Sequence, residues 1–188
     1  MIIKLFGKTK AGEGGAGGGD PNDVGKIEFI NLVEPLVSII SRSKENGNKL
    51  TALSVMAIVN MCNFSEDIKD IFLQKNGFAI VNELLNSKDE DILLNSLRLI
   101  MTLIASSKVG EPNLIGRQLA EENDNQITKR LIKLIKEGPG INFCVFDKQV
   151  YFMAISLLRA FLQHSSNTKT LIMSDSSGES SRYPRSVI

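Results

Sequence analysis

The sequence predicts an all-α protein built from repeated helical units, and three observations lead to this fold class. From residue 24 onward, apolar residues recur at intervals of three and four, which is the period of an amphipathic helix. The first such series contains Ile27, Ile30, Val33, Leu36, Val37 and Ile40. No segment alternates strictly between apolar and polar residues, so no strand is expected. The segment 51–62 is echoed at 95–105 and at 153–162, which indicates internal repeats.

Turn-forming residues divide the helical pattern into separate elements. The pattern breaks at Asn46-Gly47 and at Asn76-Gly77, the second of which is typical of a left-handed turn at a helix end. Gly and Pro residues interrupt it again at 110–112 and 138–140. The predicted helices cover residues 24–42, 48–63, 66–75, 78–87, 90–106, 112–122, 125–137, 146–164 and 167–173. Ser65 is expected to cap the helix that begins at residue 66, because its side-chain oxygen can accept from a free first-turn amide.

The spacing of the echoed helices defines the length of the repeated unit. The first two are about 44 residues apart and the next two about 58, which implies an insertion of roughly 14 residues before the last. Shorter helices at 32–40, 78–85 and 127–135 precede the long ones and also resemble one another. Each helix pair is expected to bury its apolar face against the next pair.

The two ends of the chain differ in composition from the segment between them. Residues 1–23 contain a Gly-rich stretch and are expected to form a flexible arm, because they cannot bury enough apolar surface to offset their ordering entropy. Residues 174–188 are polar and rich in Ser, and are expected to form a tail. The predicted folded domain is therefore 24–173.

Composition and charge argue against several functional classes. Of the 188 residues, 43% are hydrophobic, and the formal net charge is +1, so no global field attracts the chain to nucleic acid or to an anionic membrane. The chain also has no Trp on which the bases of a single strand would stack. No apolar run is long enough for a membrane span, and residues 1–10 do not match a secretory signal. A cytoplasmic location is expected.

The sequence contains no pattern that supports catalysis. Its single histidine, His164, has no obvious carboxylate partner nearby in the sequence. Cys62 and Cys144 lie in apolar surroundings and are expected to be buried thiols, and they lack the paired spacing of a zinc site. Neither Gly7-Lys8-Thr9 nor Gly25-Lys26 satisfies the spacing of a phosphate-binding loop. We therefore expect no enzyme activity, no metal and no cofactor.

The segment 71–105 resembles one armadillo repeat. It contains a short helix, a turn glycine at Gly77, a second helix ending in Leu84-Leu85, a Ser- and Asp-rich turn and a long third helix. The resemblance extends over about residues 27–173 as roughly three units. It implies an armadillo-like α-α superhelix, a short solenoid in which the third helices line a concave groove.

The best-known armadillo proteins bind extended peptides in this groove through a ladder of asparagines backed by tryptophans. Asn60 lies within one residue of the ladder position in the first unit. The equivalent positions in the other units hold about Leu103 and Phe161, and no Trp is present, so the chain departs from the family pattern. Asn60 is therefore either a polar residue on a helix or part of a peptide-binding site.

Two further surface features are candidates for protein binding. The helix 128–136 carries a basic stripe, which is either a solvated face or a docking site for an acidic peptide. The residues of this stripe are Lys129, Arg130, Lys133 and Lys136. The last three residues, Ser186, Val187 and Ile188, resemble the C-terminal ligands of PDZ domains, whose backbone amides bind the carboxylate. Phosphorylation of the nearby Ser cluster is another use of the same tail.

These features predict a protein that acts by binding other proteins. Stacked helix pairs present many exposed side chains and no enclosed pocket for chemistry. We expect a non-catalytic scaffold or adaptor that is a subunit of a larger hetero-oligomeric complex. The breadth of the armadillo family points to a cytoskeletal or ciliary assembly. The alternative is a transport or regulatory adaptor of the importin or catenin type that holds a linear peptide, for which Asn60 is the support.

Overall fold

A computed structural model describes residues 21–105, 114–138 and 145–179. Over these ranges the chain forms nine helices and no strand. The helices are α1 (Pro21–Ser41), α2 (Ser43–Asn46), α3 (Asn48–Phe64), α4 (Glu66–Gln74), α5 (Gly77–Leu84), α6 (Glu90–Ile104), α7 (Leu114–Glu137), α8 (Val145–His164) and α9 (Ser166–Glu179). The predicted all-α class is confirmed.

Most helix boundaries fall within a few residues of the predicted ones. The first helix begins at Pro21 instead of residue 24, and proline is favoured in a first helical turn because its missing N–H has no partner to lose there. The last helix continues to Glu179 instead of ending at residue 173. The apolar period stops near Met173, but backbone hydrogen bonds extend a helix without it. Residues 180–188 of the predicted tail lie outside the described ranges.

The chain reverses direction within α7, although the bounds of the helix, Leu114–Glu137, form one continuous range. Asp124 and Asn125 have φ angles of 59° and 62°, in the left-handed region. The Thr128 hydroxyl donates to the carbonyl of Ala120 at 2.9 Å, whereas residues eight apart in a straight helix are separated by about 12 Å along the axis. The chain therefore folds back here, at the break predicted between the helices 112–122 and 125–137.

The three echoed segments lie on helices that pack in sequence. The helix α3 packs against α6, and α6 packs against α8. Other helices cover them: α1 and α4 pack on α3, α5 packs on α6, and α7 packs on both α6 and α8. The helix α9 closes the series against α7 and α8. The described part of the chain thus has a helical, repeat-like fold, and its winding into an armadillo superhelix stays a prediction.

Several side-chain hydrogen bonds join residues that are separated in the sequence by about the length of one repeat unit. Five of them join residues 36 to 45 positions apart in the sequence. These pairs are Lys69 with Ala105, Asn82 with Gln126, Asn95 with Ala52, Arg130 with Leu85, and Ser165 with Glu121. Each bond connects a helix or helix end to another about a repeat away, so polar contacts and apolar packing share the same spacing.

The apolar core runs along the centre of this helix array. The central helix α6 contributes Leu97, Leu99, Ile100 and Leu103, all fully buried. Other large side chains with almost no exposure are Phe72, Phe161, Ile58, Ile68, Leu85, Leu119, Ile127 and Leu131. Because α6 packs against α3, α5, α7 and α8, only a narrow strip of its surface contacts solvent.

Of two predicted helix-end signals, the structure confirms the Asn76-Gly77 turn and contradicts the cap at Ser65. Asn76 adopts the left-handed conformation expected of the Asn76-Gly77 turn, with a φ of 66°. Gly77 is required for space, because a Cβ there would lie 2.7 Å from the ring of the fully buried Phe72. The predicted cap at Ser65 is wrong, since its side chain makes no capping bond. The Ser65 backbone has the extended conformation of a cap, but its hydroxyl makes no hydrogen bond to the first-turn amides.

Candidate functional site

The helices α3, α6 and α8 each present one strip of solvent-exposed residues, and we call these the exposed strips. On α3 the strip includes Leu53 and Asn60, and on α6 it includes Arg98 and Met101. On α8 the strip contains Phe152, Ile155 and Arg159, on the side opposite the buried Val150, Ala154, Leu157 and Phe161. The strips combine large apolar side chains with Asn and Arg.

A groove with a volume of about 260 Å³ lies between the strips of α3 and α6. Its lining comprises Lys49, Ala52, Leu53 and Met56 from α3, and Asp91, Leu94, Asn95 and Arg98 from α6. Asn95 is only 8% exposed. Its Nδ2 donates to the carbonyl of Ala52 at 3.2 Å, and its Oδ1 accepts from Nη1 of Arg98 at 3.3 Å. We call this the α3–α6 groove.

Asn60 is exposed on α3 and does not line this groove. The equivalent ladder positions, Leu103 and Phe161, are both fully buried in the core. The amide that lines the α3–α6 groove is Asn95, which sequence reasoning missed. The signal that could have found it is its position, because Asn95 opens the segment echoing 51–62 and so occupies a repeated place on a long helix.

Residues of the predicted basic stripe line a second groove, between α5 and the second half of α7. Its volume is about 250 Å³. The lining residues are Asn82, Asn86, Gln126, Lys129, Arg130 and Lys133. We call this the basic groove. It brings together three of the four residues of the stripe, while Lys136 is exposed in the last turn of α7 and is not part of the lining.

Hydrogen bonds from both helices fix the walls of the basic groove. Nε of Arg130 donates to the carbonyl of Leu85 at 3.0 Å. Leu85 is the C-cap of α5, so this cation also stabilises the carbonyl end of that helix. Nδ2 of Asn82 donates to Oε1 of Gln126 at 2.7 Å. These bonds bridge about one repeat of sequence, and no local pattern reveals them.

The two lysines of the basic groove form ion pairs with carboxylates outside its lining. Nζ of Lys129 lies 3.2 Å from Oδ2 of Asp124, whose side chain is 91% exposed. Nζ of Lys133 lies 3.6 Å from Oε1 of Glu137, also on the surface. Exposed pairs of this kind interact weakly, because water and salt screen them. The lysines can therefore exchange these partners for an anion that enters the groove.

Cys62 and His164, the titratable residues considered above for catalysis, both lie within the described ranges. Cys62 is buried on α3, and burial raises the pKa of its thiol to about 12, so it is uncharged at neutral pH. His164 is the last residue of α8. The part of the chain that the structure describes contains no group of three or more His, Cys, Asp or Glu residues placed to hold a metal ion. Cys144 lies outside the described ranges.

Two remaining features concern membranes and the C-terminus. No helix within 21–105, 114–138 or 145–179 combines the length and apolarity needed to cross a lipid bilayer. The predicted C-terminal ligand motif, Ser186, Val187 and Ile188, lies outside these ranges. The arrangement described above is suited to binding: it comprises a mixed groove between α3 and α6, a basic groove between α5 and α7, and the exposed strips. The chain matches no known protein family, no curated protein and no solved structure in comparisons with each.

Proposed function

We propose that this chain is a non-catalytic protein-binding module that acts as a subunit of a larger protein complex. The observation that carries the proposal is the set of large apolar side chains on the exposed strips. Phe152 on α8 is 63% exposed, Leu53 on α3 is 48% exposed and Met101 on α6 is 41% exposed. Apolar surface of this kind contributes about 25 cal/mol per Å² when a partner removes it from water.

The composition of the strips also supports a protein partner. The cores of protein interfaces are enriched in aromatic residues, Met and Arg, and the strips present Phe152, Met101 and Arg98. Met101 is unbranched and adapts its shape to a partner surface. The three helices pack in sequence, so their strips belong to one continuous helix array rather than to isolated segments.

Crosslinking mass spectrometry of the tagged chain in the cells that produce it tests this function. Met101→Glu and Phe152→Glu place a charge on the strips without touching the core. We expect both variants to lose the crosslinks that wild-type α6 and α8 form with folded neighbours. Leu114→Glu is a matched control, because Leu114 is also 63% exposed but lies on α7. Unchanged crosslinks in both strip variants would contradict the proposal.

A second candidate function is the binding of a linear peptide, and the α3–α6 groove favours it. The groove combines apolar Leu53 and Met56 with the amide of Asn95 and the guanidinium of Arg98. An extended peptide offers both backbone polar groups and side chains to such a lining. Selection from a displayed library of random peptides would test it. Leu53→Ser and Arg98→Gln should abolish binding of a selected peptide, whereas Phe152→Glu should not.

We further propose that the complex is cytoplasmic, and that it is cytoskeletal or ciliary, the latter resting only on the resemblance to armadillo repeats. Imaging of the chain with a small fluorescent tag at its endogenous level tests the location. Co-localisation with microtubules, a ciliary base or a ciliary shaft would support this part of the proposal. A uniform or membrane-bound distribution would contradict it without affecting the binding function.

A further inference from the structure

We propose that the basic groove between α5 and α7 binds an acidic segment of a partner protein, in which Asp or Glu residues are clustered along an extended chain. This inference rests on the proposed function as a protein-binding module. It assigns a partner chemistry to the basic groove, a surface separate from the exposed strips on α3, α6 and α8.

The lining of the groove has the charge of an anion-binding surface. Three of its six lining residues are cations, Lys129, Arg130 and Lys133, and the other three are amides. No carboxylate belongs to the lining, although the chain as a whole has almost equal numbers of acidic and basic residues. A positive patch on a neutral protein attracts an acidic partner locally and favours its orientation.

The spacing of the lining residues fits an extended peptide. Counted from Gln126, the residues Lys129, Arg130 and Lys133 follow at three, four and seven positions, which places all four on one face of α7. From the first to the last, this face spans about 10 Å along the helix axis at 1.5 Å per residue. A strand advances about 3.3 Å per residue, so about three residues of an acidic segment cover the same length.

Contacts within the protein hold the groove in shape before a ligand arrives. The hydrogen bond from Asn82 to Gln126 ties α5 to α7 across the groove. Arg130 is anchored through Nε to the carbonyl of Leu85, so Nη1 and Nη2 are the guanidinium atoms that can meet a ligand carboxylate. A restrained guanidinium loses less freedom on binding than a free one, which favours affinity.

A protein segment fits the groove better than a nucleic acid does. No aromatic side chain belongs to the lining, so bases would have no surface on which to stack. The cations of the groove lie within about two turns of α7, so they could contact only a short stretch of a phosphate backbone. A short acidic segment needs only the local cluster of cations.

Fluorescence anisotropy with labelled hexaglutamate tests the inference on the full chain. We expect wild-type protein to bind hexaglutamate at about 0.05 M salt, with weaker binding as screening increases. Labelled hexaglutamine should not bind. The double variant Lys129→Gln/Lys133→Gln should lose about tenfold or more in affinity, as removal of two close charge contacts predicts.

Lys75→Gln is a matched control for the double variant. Lys75 is 42% exposed and pairs with Glu34 at 3.1 Å, close to the 50% exposure and 3.2 Å of Lys129 with Asp124. It should retain wild-type affinity. Equal weakening by Lys75→Gln, tighter binding of a uridine oligonucleotide, or displacement by millimolar inorganic phosphate would each overturn the inference. Absence of hexaglutamate binding would overturn it too, while crosslinks at α6 and α8 would leave the proposed function standing.

Discussion

Nζ of Lys69 donates to the carbonyl of Ala105 at 2.8 Å, and this bond joins α4 to the C-terminal end of α6. Lys69 is buried, and the same ammonium contacts Oε1 of Glu66 at 2.8 Å. A cation at the carbonyl end of a helix interacts favourably with the helix dipole. Lys69 therefore has a counter-charge in Glu66 and donates a hydrogen bond to the carbonyl end of the central helix α6.

Replacement of Lys69 should destabilise the fold more than replacement of its surface partner. Lys69→Ala removes two charge-assisted hydrogen bonds and should lower the free energy of unfolding by about 2–4 kcal/mol. Glu66→Gln changes a half-exposed group and keeps a side-chain oxygen that can accept from Nζ, so it should cost less, about 1 kcal/mol. Urea denaturation followed by circular dichroism measures both. Equal losses for the two variants would show that the bond to Ala105 contributes little.

Gly77→Ala should be destabilising for a steric reason. The new Cβ would lie 2.7 Å from Cε1 of Phe72 and 2.8 Å from the Phe72 carbonyl oxygen, and overpacking of this kind costs about 1–3 kcal/mol. In urea denaturation, Gly77→Ala should cost less in a Phe72→Leu background than in wild type, because the ring contact is gone. Part of the cost should remain, because the carbonyl contact persists.

Gly47→Ala gives a useful comparison for that double variant. Gly47 has a φ of 77°, and a Cβ added there would meet no atom within 4 Å, so its replacement introduces backbone strain without a clash. Phe72→Leu should therefore not reduce the cost of Gly47→Ala. Rescue of both glycine variants by Phe72→Leu would contradict the steric explanation for Gly77.

Asp89→Ala and Ser65→Ala should differ, although both residues precede a helix. Oδ1 of Asp89 accepts from the Ile92 amide at 3.0 Å, and loss of such a cap costs about 0.5–2 kcal/mol. Ser65 makes no side-chain capping bond, so Ser65→Ala should cost less. Thermal denaturation of the two variants against wild type measures the difference. A larger effect at Ser65 would mean that its hydroxyl caps α4 in solution.

Cys62 should make stability fall at alkaline pH. Burial raises the pKa of its thiol from an ordinary value of 9.0 to about 12 in the folded protein. Above pH 9 the unfolded chain therefore loses a proton that the folded chain retains, and unfolding becomes more favourable as the pH rises towards 12. The free energy of unfolding then falls by up to about 1.4 kcal/mol per pH unit.

The variant Cys62→Ala isolates this effect from other alkaline titrations. The stability difference between wild type and Cys62→Ala, measured by urea denaturation from about pH 8 to about pH 10.5, should shift in favour of the variant as the pH rises. The cavity left by the smaller side chain lowers stability equally at every pH, so it does not produce such a shift. A constant difference would contradict this prediction.

The sequence predicts helices well because their signals are local. The apolar period and the turns at Asn46-Gly47 and Asn76-Gly77 lie within a few residues of the structures they determine. The reversal at Asp124 and Asn125 has a local signal of the same kind, a break between two helical patterns.

Contacts between repeats could not be predicted by such signals. Arg130 belongs to an apparent surface stripe, yet it bonds to the carbonyl of Leu85, 45 residues away. Asn95 is a polar residue within a helix, and only packing against α3 makes it part of a groove. Ser65 and Asp89 are both plausible caps by residue type, and the side-chain direction that separates them depends on tertiary packing.

The polar links of one repeat length have a consequence for how the chain loses structure. In an array whose units contact mainly their neighbours, cooperativity is passed from unit to unit, and partial opening begins at the ends. The amides of α6 should therefore exchange with deuterium more slowly than those of α1 and α9, since α6 has structured neighbours on both sides. A disturbance at one terminal helix can reach the other along two routes, one through α3, α6 and α8 and one through α4, α5 and α7, so communication along the molecule does not depend on a single helix.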